Sequence, residues 1–529
     1  MVDGKRTAGT AVTVRLPRSI WLFLLATTAV RIYWAAYAPL ANDEAYYWDW
    51  SRVLHLSYLD HPPAVAWLGA AAEQIFGPSS GLSARGLVPL LHLAAVLALI
   101  KCAALLHGKA LERRQLWMVV LLCELVPAFS LEGVVLLPDS ALLPALALSL
   151  LAVLEAAQAR VGKSWHWAPL AGVAIGCAGL SKYHAAPIAT GMGLGLLLYG
   201  WRTRRLRDYI AFLAASSLIA LLVTAPVWVW NAQHDWASFR FQGAHGFSGL
   251  MWDPVAAGRF YLGQLLLLSP LVVVGGFLMM VRQRQVNLAT VLLAAAAPLI
   301  VLLESLAFAK QLLPHWLAPA FWLLVPLLAT SPWPTKLVRT NFIVAGLITG
   351  LLPWVLAIAP ARERLIASFA GRPGPLSELT LWQPLADVLI KDPQIGPLLA
   401  HAKEPKNGGC QDQVTVATLR WFWTAQLAFN LPNKPQVLSL DQNHRSYYHY
   451  RDHWPDFGGC PVLVIADSRH LDRAQLAKIL STWQEWTVVV PSHSDTEILA
   501  LWGRFRERAD LEPVAAAMHG FGGDHPAAY

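Results

Sequence analysis

Residues 42–67 read NDEAYYWDWSRVLHLSYLDHPPAVAW. Asn42 is placed to cap a short helix whose first turn holds Asp43 and Glu44, where the macrodipole favours negative charge and keeps Asp43 ionised. Helical spacing puts Asp43, Tyr47, Trp50 and Leu54 on one face, apolar except for the acid at its head. Pro62 and Pro63 stop regular structure after Tyr58, Asp60 and His61. Two readings fit so aromatic a helix. It is an interfacial belt with Trp and Tyr at headgroup level and acids facing water, or it carries a site. The text on either side separates them.

That text is strongly apolar. The 529 residues are 56% hydrophobic and 14% charged, with mean hydropathy +0.44. This composition specifies a polytopic α-helical membrane protein. The net charge of +8 suggests nucleic acid in a soluble chain. Here the basic residues fall mostly in short loops between apolar segments, so they read as topology signals and no nucleic-acid partner is expected. The first apolar segment is too long for a cleavable signal and lacks a small-residue cleavage site, so it is expected to anchor.

Apolar segments at about 19–38, 85–106, 115–130, 139–157, 167–180, 185–201, 209–230, 262–281, 287–307, 312–329 and 340–360 predict about eleven transmembrane helices. One set of connecting loops holds seventeen Lys and Arg, among them Lys109, Arg160, Arg204, Arg284 and Lys336. The opposite set holds five: Arg52, Lys182, Arg240, Arg259 and Lys310. The asymmetry puts the N-terminus in the cytoplasm, and eleven crossings put the C-terminus outside. The predicted layout is a cytoplasmic N-terminus at 1–18, a transmembrane domain at 19–360 with its first outer loop at 39–80, and a periplasmic domain at 361–529.

Topology does not need the five basic residues of the depleted side. Each lies in a loop beside acids, histidines or aromatics, and the outer loops are the opening stretch, SLEGVVLLPD (130–139), LSKYHA (180–185), WNAQHDWASFRFQGAHGF (230–247) and AFAKQLLPHW (307–316). Ionisable groups near membrane depth are costly and mark candidate sites. Asp139 alone could be a helix cap, Lys182 a snorkelling lysine and His315–Trp316 an interfacial anchor. Their gathering on one side favours function.

From about 361 a Pro- and Gly-containing stretch leads into mixed sequence. β-rich runs at 412–418, 436–440, 461–466 and 487–491 alternate with helical patterns at 419–430 and 470–483, predicting a small extracytoplasmic α/β domain with a partly parallel sheet. The tail after Ala515 reads as loosely ordered. No GxGxxG or P-loop is present, so no nucleotide site is expected. Cys102, Cys123 and Cys177 sit in apolar segments as packing residues. Cys410 and Cys460 could close a disulfide across about fifty residues, worth roughly 4 kcal/mol by chain entropy. Such a bond fits an oxidising compartment.

Group transfer at a membrane surface needs a carboxylate to take the acceptor's proton and cations to stabilise a departing phosphate. Asp43 is the candidate base, with Glu44 orienting it or the acceptor. Arg85, Lys182, Lys310 and His315 are candidate phosphate partners, and Arg259 is a weaker one. Asp60 and His61 could support the outer loop or bind a divalent ion, although two adjacent residues are not a ligand set, and no cofactor is required. Tyr47, Trp48, Trp50 and Trp316 could stack on sugar or form a belt. Hydrolase signatures such as GxSxG and HExxH are missing.

The motifs DEAYYWDWS, LSYLDHPPAVAWL, PDSALL, GLSKYHAA, PVWVWNAQHDWASFRFQ and HWLAPA, in this order over roughly 20–330, resemble the bacterial membrane glycosyltransferases of the GT-C fold. The resemblance is to the dolichyl-phosphate-mannose protein mannosyltransferase-like group, including lipid A aminoarabinose transferases and rhizobial galacturonic acid transferases of lipopolysaccharide. It implies a polyprenyl-phosphate-linked sugar donor used at the outer face of the cytoplasmic (inner) membrane. The acceptor is lipid A or lipopolysaccharide core, another envelope glycan, or a protein. By the same resemblance Asp43 in Asp-Glu matches the catalytic base, Asp139 the second-loop acid, and Lys182-Tyr183 the SKY motif. Where the aminoarabinose enzymes carry an FEKPP-like motif this chain has YLDHPP, with Asp60 and His61 replacing Glu and Lys. That exchange alters a charge at the expected site, and with it the expected sugar. The alternative function is a transporter or flippase of lipid-linked sugars. It predicts charges spread through the spans and related halves, whereas here charges collect in outer loops and no repeat is visible.

Overall fold

The computed structural model describes residues 14–78, 80–247, 249–358, 375–400, 414–441, 446–493 and 496–519. The chain forms two compact units. One holds the chain up to Tyr37 together with His55–Trp354; the other holds Ala38–Leu54 together with the chain from Val355 on. The opening stretch is thus divided, its acidic helix grouping with the C-terminal part.

The first unit is helical. Five of its helices are long and apolar enough to cross a membrane: Arg18–Tyr37, Leu82–His107, Pro138–Gln158, Leu206–Val223 and Ala289–Leu306. A sixth span arises if Pro254–Leu267 and Pro270–Arg282, which meet at 106°, count as one. The expected count of eleven is therefore not confirmed among the described residues. Several expected segments form shorter or broken helices, such as Ala168–Ser181 and Ala318–Thr330.

Pro138–Gln158 is buried along most of its length and packs against Val88–His107 and Ala168–Ser181. Small residues let neighbouring helices close up. A Cβ on Gly191 would lie 2.0 Å from the Ala294 carbonyl oxygen, and one on Gly195 would lie 2.9 Å from Val291 Cα. Gly191 and Gly195 are four residues apart and so share a face, which seats Ala185–Thr203 on Ala289–Leu306.

The second unit carries a five-stranded sheet of β1 (Thr415–Thr418), β2 (Val437–Ser439), β3 (Pro461–Asp467), β4 (Leu480–Val488) and β5 (Ile498–Phe505), in the order β2-β1-β3-β5-β4. β1 is parallel to β2 and β3, while β5 is antiparallel to β3 and β4. The helix Trp421–Asn430 supplies the crossover that parallel β1 and β2 require. Central β3, PVLVIAD, is buried on both faces after its first residue and so reads as a continuous apolar run. β4 is an edge strand whose outward residues include Ser481, Gln484 and Glu485, polar side chains that discourage further pairing.

Three features depart from expectation here. Residues 480–483 belong to β4 rather than to a helix. The run at 498–505 is a strand that short-range pattern missed, since Gly503 and Arg504 interrupt its apolar text. The final helix, Arg508–His519, also continues past Ala515.

The helix Asn42–Ser51 completes the second unit. Its cap is Ala41, not Asn42, and Glu44 accepts a hydrogen bond from the Ala41 N–H at 3.0 Å. Every residue from Glu44 to Ser51 is buried. Tyr46 packs on Trp421 and Tyr448 with ring centroids 4.9 and 5.4 Å apart, and Trp48 on Phe429 at 4.9 Å. Tyr47, Trp48 and Trp50 are therefore core side chains of this unit, which removes both the belt and the sugar-stacking readings for them.

Candidate functional site

Helix ends bring polar side chains together in the first unit. Leu137 caps Pro138–Gln158, with Pro138 in the first turn and the Ser140 hydroxyl accepting from the Leu137 N–H at 3.1 Å. Asp139 thus sits at the positive end of the helix dipole but does not act as the cap. Its Oδ2 accepts from Lys182 Nζ at 2.6 Å, and both residues are buried, 2% and 6% exposed. Lys182 reaches it because Ala168–Ser181 ends there: the backbone turns extended at Lys182 (φ −157°, ψ 143°).

The second oxygen of Asp139 and Nδ1 of His184 have no hydrogen-bond partner among the described residues. His184 lies within electrostatic reach of Lys182, Asp139, His61 and His315. Packed protein around its ring, and then the Lys182 charge, push its pKa down to about 3, so the imidazole is neutral at neutral pH. Tyr183 bonds Ser238 at 2.6 Å.

The structure therefore brings together Asp139, Lys182, Tyr183, His315 and His61. It adds His184, which sequence reading passed over although it stands inside the SKYH text. Buried polar atoms without partners are what a ligand's hydroxyls, phosphate oxygens or water would satisfy.

The other expected residues have contacts of their own. The guanidinium of Arg85 is sealed from solvent and lies 4.4 Å from the Trp34 ring centroid. Asp60 offers its backbone carbonyl to Gln242. Lys310 is half-buried in a loop held by bonds from Met251 and Asp253 N–H to the Ala309 and Phe308 carbonyls, and burial lowers its pKa. Among the described residues no group of three or more His, Cys, Asp or Glu is arranged to hold a metal, Asp60 and His61 included. Cys410 lies outside the described residues, and with it the expected pairing to Cys460. Cys102, Cys123 and Cys177 are free thiols.

In the second unit Asp43 stands at the head of its buried helix and keeps open surface. Surrounding protein still displaces much of the bulk water. That desolvation, followed by the Glu44 charge, raises its pKa to about 6. The carboxylate is mostly ionised at pH 7, but burial opposes the helix start that was expected to keep it so, and it protonates on mild acidification.

Two groups escaped sequence reading. Arg31, His92 and Glu124 come from three apolar helices. Glu124 pairs with Arg31 and lies 3.4 Å from His92 Nε2, and Arg31 Nη2 donates to Ser130 at 3.1 Å. These charges are buried inside helices, so ionisable residues do not gather only in outer loops. Their signal was a charge within an apolar run. The second group, around Asp49 in the second unit, had no local signal.

Residues 60–230 match the family described as dolichyl-phosphate-mannose-protein mannosyltransferase. The chain is 28% identical over 370 residues to the lipid A galacturonosyltransferase RgtD of Rhizobium johnstonii, covering 67% of this chain and 76% of that protein. Its fold matches the crystal structure of ArnT from Cupriavidus metallidurans bound to undecaprenyl phosphate, at TM-score 0.63 and 15% identity over 92% of this chain and 98% of that one. The apo form of the same ArnT matches at TM-score 0.59. Nothing in these matches supports the transporter alternative. These matches support a multi-pass membrane glycosyltransferase, and the fold is similar to that of ArnT.

Proposed function

We propose that the enzyme moves a sugar, of the uronic acid class, from a polyprenyl-phosphate donor to lipid A or a related envelope glycolipid at the periplasmic face of the inner membrane. The donor class follows the ArnT complex with undecaprenyl phosphate, and the sugar and acceptor follow the galacturonosyltransferase relative. The observation that carries the reading is the buried Asp139–Lys182 pair beside His184 and His315. Asp139 takes one of three ammonium N–H donors, leaving Lys182 able to meet phosphate oxygens.

In the reaction the bond from sugar C1 to the lipid phosphate oxygen breaks, and the phosphate leaves with the electron pair. A bond forms from C1 to the acceptor oxygen, whose proton passes to Asp43. Lys182 offsets the growing phosphate charge, and neutral His184 is suited to a hydrogen bond rather than to competing for the proton. Glu44, bonded to the Ala41 N–H, holds the helix start and keeps a charge beside Asp43 that raises its basicity. The phosphate leaves with its lipid, so no nucleotide-sugar site is needed.

The test is mass spectrometry of envelope glycolipids from a deletion strain complemented with wild type or Asp43→Asn. Loss of one acidic sugar from lipid A, restored by wild type alone, supports the reading. Full restoration by Asp43→Asn removes Asp43 from the chemistry, and loss of a neutral or amino sugar overturns the uronic acid assignment.

A further inference from the structure

Asp49 lies six residues beyond Asp43 on the helix Asn42–Ser51, so it projects about 120° around the axis from the candidate base. It is 1% exposed and fully engaged. Its Oδ2 accepts from Arg451 Nη1 at 2.6 Å and from the Tyr448 hydroxyl at 2.9 Å, and its Oδ1 from Arg52 Nη1 at 3.1 Å. Arg451 is itself held by Asp452, with Nε 2.6 Å from Oδ1, and Asp452 Oδ2 accepts from the Ser439 N–H of β2 at 2.8 Å. A chain of charge-assisted bonds therefore runs from the sheet to one face of the helix that bears Asp43.

We propose that Asp49 and Arg451 are positioning residues: the α/β unit acts through them to fix the rotation of the Asn42–Ser51 helix and so aim Asp43 at the acceptor. The inference rests on the base role given to Asp43 above. Aromatic packing holds the helix against the unit but tolerates rolling, because ring contacts are broad and non-directional. Bonds to a guanidinium have a fixed fork geometry and resist it. The leverage is large. A carboxylate about 6 Å from the axis moves about 2 Å for a 20° roll, and a misplacement of about 1 Å can cost on the order of 10²-fold in rate. The same network explains why an acid lacking any local functional pattern is buried in this helix.

The experiment uses the full-length protein in detergent or nanodiscs with undecaprenyl-phosphate-linked galacturonic acid and lipid A as probes. Arg451→Ala is expected to lower kcat about 10–100-fold while the donor KM stays within about threefold. Arg451→Lys, which keeps the charge and loses the fork, should recover part of the rate. If Arg451→Ala does not fold, Tyr448→Phe removes one bond to Asp49 without opening a cavity and should lower kcat several-fold with KM unchanged. Unchanged kcat in the folded variant, or a loss carried by KM, overturns the proposal. Asp43→Asn separates the two ideas. If it retains full rate the base assignment fails, whereas if it is inactive while Arg451→Ala is normal, only the positioning role fails.

Discussion

Asp43 owes its chemistry to what surrounds it. A free aspartate titrates near 4, but here desolvation and then Glu44 lift the pKa to about 6. As a base it must be ionised, so kcat/KM is expected to rise with pH through a midpoint near 6 and then flatten. A pH–rate profile with no inflection between pH 5 and 7 would remove that assignment. Asp43→Asn should cost about 10²–10⁴-fold in kcat, the usual worth of a positioned base. Lys182 presents a different balance. Removing one member of a buried ion pair strands the other, so Lys182→Met should destabilise the protein by about 3–5 kcal/mol, and pairing it with Asp139→Leu should return much of that loss. Thermal unfolding in detergent measures both. Asp139 and Lys182 were visible as motif residues; their 2.6 Å contact across 43 positions was not.

At the level of elements, the Asn42–Ser51 helix shows how pattern can mislead. Its aromatic text fits a headgroup belt, yet Trp48 and Trp50 are 1% and 0% exposed. A large side chain cannot report from sequence whether lipid, sugar or protein covers it. Trp48→Ala is expected to weaken the seat of this helix on Trp421–Asn430 by about 3–5 kcal/mol, read as faster amide exchange over residues 42–51. Ala185–Thr203 and Ala289–Leu306 meet where Gly191 allows backbone contact. Gly191→Ala should cost about 1–3 kcal/mol through forced separation, while Ala at Gly258, where nothing lies within 4 Å of a Cβ, should be neutral. Equal thermal shifts for the two variants would contradict the close packing.

For the whole molecule, the basic-loop asymmetry predicts which loops face which compartment. In a protein freed of its native thiols, Val161→Cys, which is 76% exposed in a basic loop, should react with an impermeant maleimide only after the inner membrane is opened. Met251→Cys, equally exposed on the depleted side, should react in intact spheroplasts. The reverse pattern would invert the topology and place Asp43 in the cytoplasm.

By itself the sequence determined the membrane character, the order of the motifs along the chain and the mixed strand-and-helix character after residue 414. Each is written in local composition or period, and local text is enough to read it. Tertiary structure alone decided that the acidic helix of the opening stretch groups with a sheet formed some 370 residues later in the chain, through Asp49 and Arg451. It likewise decided that Arg31 and Glu124 pair beside His92 within the helical unit, and that Asp43 titrates near 6. Contacts between distant residues, and the water they exclude, depend on how the chain packs, and no short window of sequence contains that information.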